Sequence, residues 1–243
     1  MRTLKLTLAY DGTNYVGWQR QDNGVSIQQV VEESLAPIAG GDAPTVSAAS
    51  RTDAGVHALG QVVHVDLPTA LPADTLVARI NDELPHDINV LSAERVAPRF
   101  HARHSAVARR YRYQLSRRRS AFEKPYVWWV REPLDLTRMR AATGHLVGFA
   151  DFRSFTDDDP EEKSTQVLLQ ELTLTEEGHL IIVHITGSHF LWKMVRRIVG
   201  VLVEVGKGGL KPADVSRLLQ QESPLVAKLT APAAGLFLEE VTY

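Results

Sequence analysis

The sequence predicts an α+β protein of two halves, each with the element order β-α-β-β-α-β. Three observations carry that expectation. Short segments that alternate apolar and polar residues, the strand period, recur along all 243 residues. Between them lie stretches whose apolar residues recur every three or four positions, the helix period. The order of elements in residues 1–104 then recurs in residues 105–243, without a matching sequence repeat. Two split β-α-β units, with helices on one face of a mixed or antiparallel sheet, satisfy that order. The exposed sheet face between the halves is then expected to form a cleft near mid-chain.

In the first half, Leu4, Leu6, Leu8 and Tyr10 alternate with polar or small residues, which predicts a half-buried strand ended by the Asp11-Gly12 turn. Ser26-Ile27-Gln28-Gln29 fits a capping box, and Val30, Val31, Leu35 and Ile38 make a helical stripe behind it. Thr45–Ala49 reads as a weak strand. Gln61–Leu67 reads as a better one, with Val63, Val65 and Leu67 on one face. Leu76, Val77, Ile80 and Leu84 mark a second helix stopped by Pro85, and Ile88–Val96 a fourth strand.

In the second half, Val107–Ser116 is an expected strand and Asp135–Val147 a helix, with Leu136, Met139, Thr143 and Leu146 inward and Gly148 just past its end. Val167–Thr175 and Leu180–Thr186 form a hairpin through Glu177-Gly178. Phe190–Val205, stopped at Gly206, is the most strongly patterned helix. A short helix at Pro212–Gln220 and a strand at Leu236–Thr242 complete the chain. Asp157–Lys163 reads as a mobile acidic loop.

Composition narrows the function. With 44% hydrophobic and 23% charged residues the chain has an ordinary globular balance, and no apolar run reaches the ~18 residues of a membrane helix. The absence of cysteine removes disulfides and thiol chemistry, and suits a cytoplasmic protein. Net charge is −2, yet nine arginines and no acid lie between Arg95 and Phe122, while Asp157–Glu162 carries five acids in six positions. One basic strip on a nearly neutral chain suits a site-directed nucleic-acid binder, although solvated surfaces also carry such charge.

Familiar motifs fail. The glycines of Gly200–Lys207 are one residue too far apart for a phosphate loop, and Gly208 stands where Ser or Thr is needed. No serine-hydrolase elbow is present. His57, His64, His101 and His104 lack acidic co-ligands and sit among arginines, which disfavours a metal; none is expected.

What remains is Ser50-Arg51-Thr52-Asp53-Ala54-Gly55-Val56-His57, which places a carboxylate beside a cation, an imidazole and a glycine. Asp before Ala-Gly equally suits an Asx turn. Its company favours a reactive role, because an oriented, ionised aspartate can act as a covalent nucleophile. On the expected strand after it, Val107, Arg109, Tyr111, Tyr113 and Leu115 share one face, with Arg110, Arg112 and Gln114 on the other. A tyrosine among arginines suits base stacking beside phosphate contacts, and equally suits a core tyrosine with surface arginines. Lys193, Arg196 and Arg197 fall on one helical face, where a carboxylate such as Asp53 could serve as partner.

These segments together resemble the tRNA pseudouridine synthase A family: YDGTNYVGWQRQ (10–21), SRTDAGVHALGQVVHV (50–65), FHARHSAVARRYRY (100–113), DFRSFT (151–156), KMVRRIVGVLVEVGKG (193–208) and TAPAAGLFLEEV (230–241). Ser50 stands where that family often has Gly. The resemblance implies two ferredoxin-like halves with a central basic cleft, 1–104 carrying the catalytic loop, in a homodimer that works without metal or cofactor. It implies an isomerase acting on uridines in the anticodon stem-loop of tRNA. Residue by residue, it implies Asp53 as nucleophile, Tyr111 stacking on the uracil, Arg196 pairing with Asp53, Arg51 holding or replacing the extruded nucleotide, and Leu236 lining the pocket. Arg109, Arg110, Arg112 and His57 are further candidate RNA contacts.

The chemistry is self-contained: the N1–C1′ bond breaks, the uracil turns, and C5 joins C1′ with no redox change. Whether the carboxylate attacks C1′ or C6 stays open, as does the group that takes the C5 proton, for which Tyr111 is a candidate. Two other readings compete. A non-catalytic RNA-binding module would tolerate loss of Asp53, and a nucleoside hydrolase would need a second carboxylate near the first.

Overall fold

A computed structural model describes residues 1–243 and bears out the α+β class. In chain order the elements are β1 (Arg2–Tyr10), α1 (Ile27–Ala39), β2 (Ser47–Ala48), β3 (His57–Leu67), α2 (Ala73–Glu83) and β4 (Ile88–Arg95). They continue as β5 (Ala108–Ser116), β6 (Trp128–Trp129), α3 (Leu136–Thr143), β7 (Gly148–Asp151), β8 (Gln166–Glu177), β9 (Leu180–Gly187), α4 (Met194–Lys207), α5 (Asp214–Gln220), α6 (Pro224–Lys228) and β10 (Leu236–Thr242). The chain divides into two compact units, Met1–Val107 with Phe237–Tyr243, and Ala108–Leu236.

In the first unit the strand order is β4-β1-β3-β10, with β2 against β3. β1 runs antiparallel to β3 and β4, so that Leu4 faces Val65 and Leu6 faces Val63, all of them buried. β10 runs parallel to β3 and puts Phe237 beside His57. Ser26 caps α1, its hydroxyl accepting the Gln29 N–H at 3.2 Å. The inward residues of that helix are Ile27, Val31 and Leu35, whereas Val30 and Ile38 are only half-buried. Each fully buried Leu or Ile contributes about 2 kcal/mol. β3 starts at His57, four residues before the expected strand and inside the motif itself. The weak strand expected at 45–49 shrinks to the two residues of β2.

In the second unit the order is β5-β9-β8-β7, with β6 beside β5. β8 and β9 form the expected hairpin, and Gly178 turns it at φ +62°. α3 packs on α4. It ends at Thr143 rather than Val147, and Gly148, at φ +117°, opens the unexpected strand β7 instead of capping a helix. α4 differs from expectation at both ends. Lys193, at φ +62°, precedes it, so Phe190–Lys193 is not helical. Gly206 lies within it, where a Cβ would stand 2.8 Å from Met139 Sδ, so this glycine permits close helix approach rather than ending the helix. Gly208, at φ +90°, supplies the cap.

Candidate active site

The loop 49–56 joins β2 to β3 and is gripped by the segment that follows β1. Trp18 N–H donates to Thr52 O at 3.0 Å. Gly17, at φ +108°, comes so close that a Cβ there would stand 2.7 Å from the same oxygen. Gly12 approaches closer still: a Cβ would stand 2.0 Å from Val56 O. Its N–H donates to His57 Nδ1 at 3.1 Å, and Asp11 Oδ1 lies 3.1 Å from that nitrogen. The segments 10–18 and 50–57 are therefore two sides of one structure, and each glycine of the first is there because backbone of the second occupies its side-chain space.

Within the loop, Val56 N–H donates to Asp53 O at 3.1 Å. This closes a four-residue turn with Gly55, φ +74°, at its third position, where a positive φ is required. Asp53 thus opens this turn through its main-chain carbonyl, whereas the Asx turn of the plainer reading would use its side chain, and it is half-buried. Side chains lock the residue before it. Tyr10 Oη lies 2.8 Å from Thr52 Oγ1, and Gln61 Nε2 donates to Tyr10 Oη at 3.3 Å and to Ser50 O at 2.8 Å. Arg51 is exposed.

His57 is corrected by its burial. It is 1% exposed and its ring stacks on Phe237 at 4.6 Å and 28°, so it anchors the loop rather than meeting RNA. His64, His101 and His104 lie ring to ring, with centroids 4.6 Å and 4.3 Å apart. Burial first, then the neighbouring imidazoles and Arg103, hold His101 below the usual histidine range.

In the second unit β5 sorts its residues as the alternation expected from Arg109 onward, whereas Val107, expected on the inward face, precedes the strand and is exposed. Arg109, Tyr111, Tyr113 and Leu115 are buried, and Arg110, Arg112 and Gln114 are half-buried. Arg109 is 7% exposed and donates from Nη1 to Ser188 O at 2.8 Å, a structural tie rather than a surface cation. Tyr111 is 5% exposed and meets Phe190 edge-to-face at 5.1 Å. Arg112 Nη2 donates to Gln114 Oε1 at 3.0 Å, and Arg110 lies 4.0 Å from Glu171.

Arg196, on the first turn of α4, donates from Nε to Ala231 O at 2.8 Å, and Ala231 N–H returns a bond to Arg196 O at 3.1 Å. Gly200 lies where a Cβ would stand 1.6 Å from Leu229 O, and Gly235 where one would stand 2.6 Å from the Tyr113 ring. Tyr113 Oη donates to Pro232 O at 2.8 Å, and burial pushes its phenol well above the usual range, with Arg196 pulling the other way. Residues 229–235 are thus tied to both α4 and β5, and buried Leu236 follows them. Gly200, considered and rejected as part of a phosphate loop, serves instead for close packing.

The expected trio of helix cations separates. Lys193 Nζ and Arg197 Nη2 both bind Asp157, the former at 2.7 Å, while Arg196 turns to Ala231. Lys193, then Arg197, hold the Asp157 carboxyl below the usual carboxylate range. The acidic stretch expected to be mobile is tied down further by Asp158, which accepts from Trp192 N–H at 2.9 Å and from Lys163 Nζ at 2.7 Å. The Tyr10–Thr52–Gln61 chain and the Asp157 partnership escaped sequence reasoning. The bonds that join Tyr10 to Thr52 and Gln61, and Asp157 to Lys193 and Arg197, span 36 to 51 positions, and only Tyr10, the last buried position of its strand, is marked by periodicity.

No helix is long and apolar enough to cross a membrane. A profile of a family described as tRNA pseudouridine synthase matches residues 7–105 and 142–243. Relatives named tRNA pseudouridine synthase A match the chain from end to end. Those from Pelobacter propionicus and Geobacter sulfurreducens are 41% and 42% identical over 245 residues. One from Rhodospirillum centenum is 44% identical over 246, and all three cover the whole of both chains. With its two glycine-clamped segments inside the matched ranges, the chain belongs to the tRNA pseudouridine synthase family of isomerases.

Proposed function

We propose that the chain converts uridine to pseudouridine in the anticodon stem-loop of tRNA, with Asp53 as the nucleophile. The observation that carries this reading is the setting of Asp53. It is half-buried at the start of a turn held from both sides by packed backbone and buried hydrogen bonds, which keeps a carboxylate oriented. Attack at C1′ or C6 of a flipped uridine, detachment and rotation of the uracil, and joining of C5 to C1′ complete an isomerisation that consumes nothing. Flipping costs a few kcal/mol, which contacts to the tRNA backbone must offset.

Tyr111 stacks on the uracil, Arg196 keeps Asp53 ionised, Arg51 holds or replaces the extruded nucleotide, and Leu236 lines the pocket. Tyr111 lies between the two matched ranges, so its role rests on the RRYRY resemblance and its inward place in β5. Among the arginines of the basic strip, Arg95, Arg99, Arg103, Arg118 and Arg119 are exposed and take phosphates, with Arg110 and Arg112 half-exposed beside them. The working form is a cytoplasmic homodimer.

Incubation with unmodified tRNA, followed by position-by-position mapping, tests the reaction and its site together. Pseudouridine confined to the anticodon stem-loop is expected. Free uracil would mark a hydrolase instead, and modification elsewhere in the tRNA would overturn the assigned region. Titration of tRNA binding with salt is expected to show a steep linear fall of log K with log salt, because phosphate contacts release counterions. A flat response would remove the arginines from the interface.

A further inference from the structure

Three buried polar side chains lie directly behind the loop: Gln61 on β3, fully buried, Tyr10 at the end of β1, and Thr52 beside Asp53. The main chain orients the first of them. Ser50 offers Gln61 both a carbonyl, which takes Nε2–H at 2.8 Å, and an N–H, which gives to Oε1 at 3.4 Å. That pairing sets which end of the Gln61 amide points where, and it leaves Nε2 to donate to Tyr10 Oη at 3.3 Å. Tyr10 Oη and Thr52 Oγ1 share a hydrogen bond at 2.8 Å in which either hydroxyl can donate. An amide, a phenol and a hydroxyl thus form one connected chain from two sheet strands to the residue preceding the carboxylate.

We propose that this chain, with Tyr10 at its centre, positions Asp53 for attack; the inference rests on the catalytic role proposed above for that aspartate. The loop's main chain is already held by the Trp18 N–H and by the close approach of Gly12 and Gly17. The side-chain link is therefore not needed to keep the loop in place. Burying three polar groups costs desolvation that an apolar contact would avoid, and what the chain supplies is direction. It ties the Thr52 side chain to two sheet strands, in addition to the hold of the Trp18 N–H on the Thr52 carbonyl, and so narrows the line along which the carboxylate meets the sugar or base. Nothing in the chain is charged, so it holds across the pH range in which the carboxylate is ionised.

Tyr10→Phe and Thr52→Val each break the chain while keeping side-chain shape. Each is expected to lower kcat by ~10- to 100-fold, the scale of a small misplacement of a reacting group. KM and the tRNA dissociation constant are expected to stay within about twofold of wild type. Thr52→Ser, which restores the hydroxyl, is expected to recover most of kcat, a rescue that lost stability alone would not produce. Asp53→Asn runs beside them. If it retains turnover, the aspartate reading fails and this inference with it. If it is dead while Tyr10→Phe and Thr52→Val keep wild-type kcat, the positioning chain is overturned and the nucleophile stands. Should Tyr10→Phe not fold, the Thr52 pair decides: equal kcat for Val and Ser overturns the proposal, and recovery by Ser alone supports it.

Discussion

Two loops of this chain present aspartates, and they are held by opposite means. The backbone of the Asp53 loop and the Thr52 side chain are held by uncharged ties: main-chain bonds from Trp18 and within the turn, backbone packed against Gly12 and Gly17, and the Gln61–Tyr10–Thr52 chain. Around Asp157 the ties are ionic, from Lys193 and from Arg197, which is 4% exposed. Ion pairs weaken with salt and with protonation of the carboxylate, whereas buried neutral bonds respond to neither. The two loops thus contrast one whose backbone is held by neutral bonds with one whose carboxylate neutralises a buried guanidinium and a half-buried ammonium.

Perturbing each kind of tie sharpens that contrast. The largest effect is expected from Gly12→Ala, because its Cβ would stand 2.0 Å from the Val56 carbonyl and backbone must move to admit it. A loss of about 3 kcal/mol in urea unfolding is expected, with pseudouridine formation falling alongside. A fully stable variant would show that the two segments do not pack as described.

Asp157→Asn is expected to cost less, about 2 kcal/mol at pH 7, because it removes the counter-charge of a buried guanidinium. Here pH separates the loops. The Asp157 carboxyl is held below its usual range, chiefly by Lys193. Its contribution is therefore present above the unfolded carboxylate value of about 3.9, and is lost as pH falls through the lower folded value. The stability gap between wild type and Asp157→Asn should close over that acidic window. A gap that persists after full protonation would assign the loss to packing instead of charge.

The smallest effect is expected at the cap of α1, whose first turn meets the segment gripping the Asp53 loop through Ile27 N–H to Gly17 O at 3.1 Å and Gln28 N–H to Trp18 O at 3.0 Å. Ser26→Ala removes the cap of α1 and should cost about 1 kcal/mol with tRNA turnover unchanged. A fall in turnover at that site would blur the distinction between loop-specific and general destabilisation.

Legibility in the sequence divided along the same line. Where order is local, the residues announced it: the alternation of Leu4, Leu6 and Leu8 marked β1, and Leu236–Thr242 is observed as expected. Boundaries failed where a glycine has more than one use. Gly206 reads as a stop but permits contact with Met139, and Gly148 reads as a cap but opens a strand. The start of β3 was hidden because His57 and Ala58 are both buried, which breaks the alternation of a one-sided strand. At the site, the reactive-looking residues could be picked from the motif, but not what holds them. The bond between Tyr10 and Thr52 spans 42 positions, and that between Arg197 and Asp157 spans 40. Side-chain partnership at such separations leaves no periodic trace.

The most direct test of the account is single-turnover reaction of the Asp53→Asn variant with unmodified tRNA, product being mapped by position and binding measured in parallel. The account predicts wild-type affinity and no pseudouridine. Substantial conversion by that variant would contradict it, since a side chain that is neutral at every pH cannot replace the carboxylate on which the proposed reaction turns.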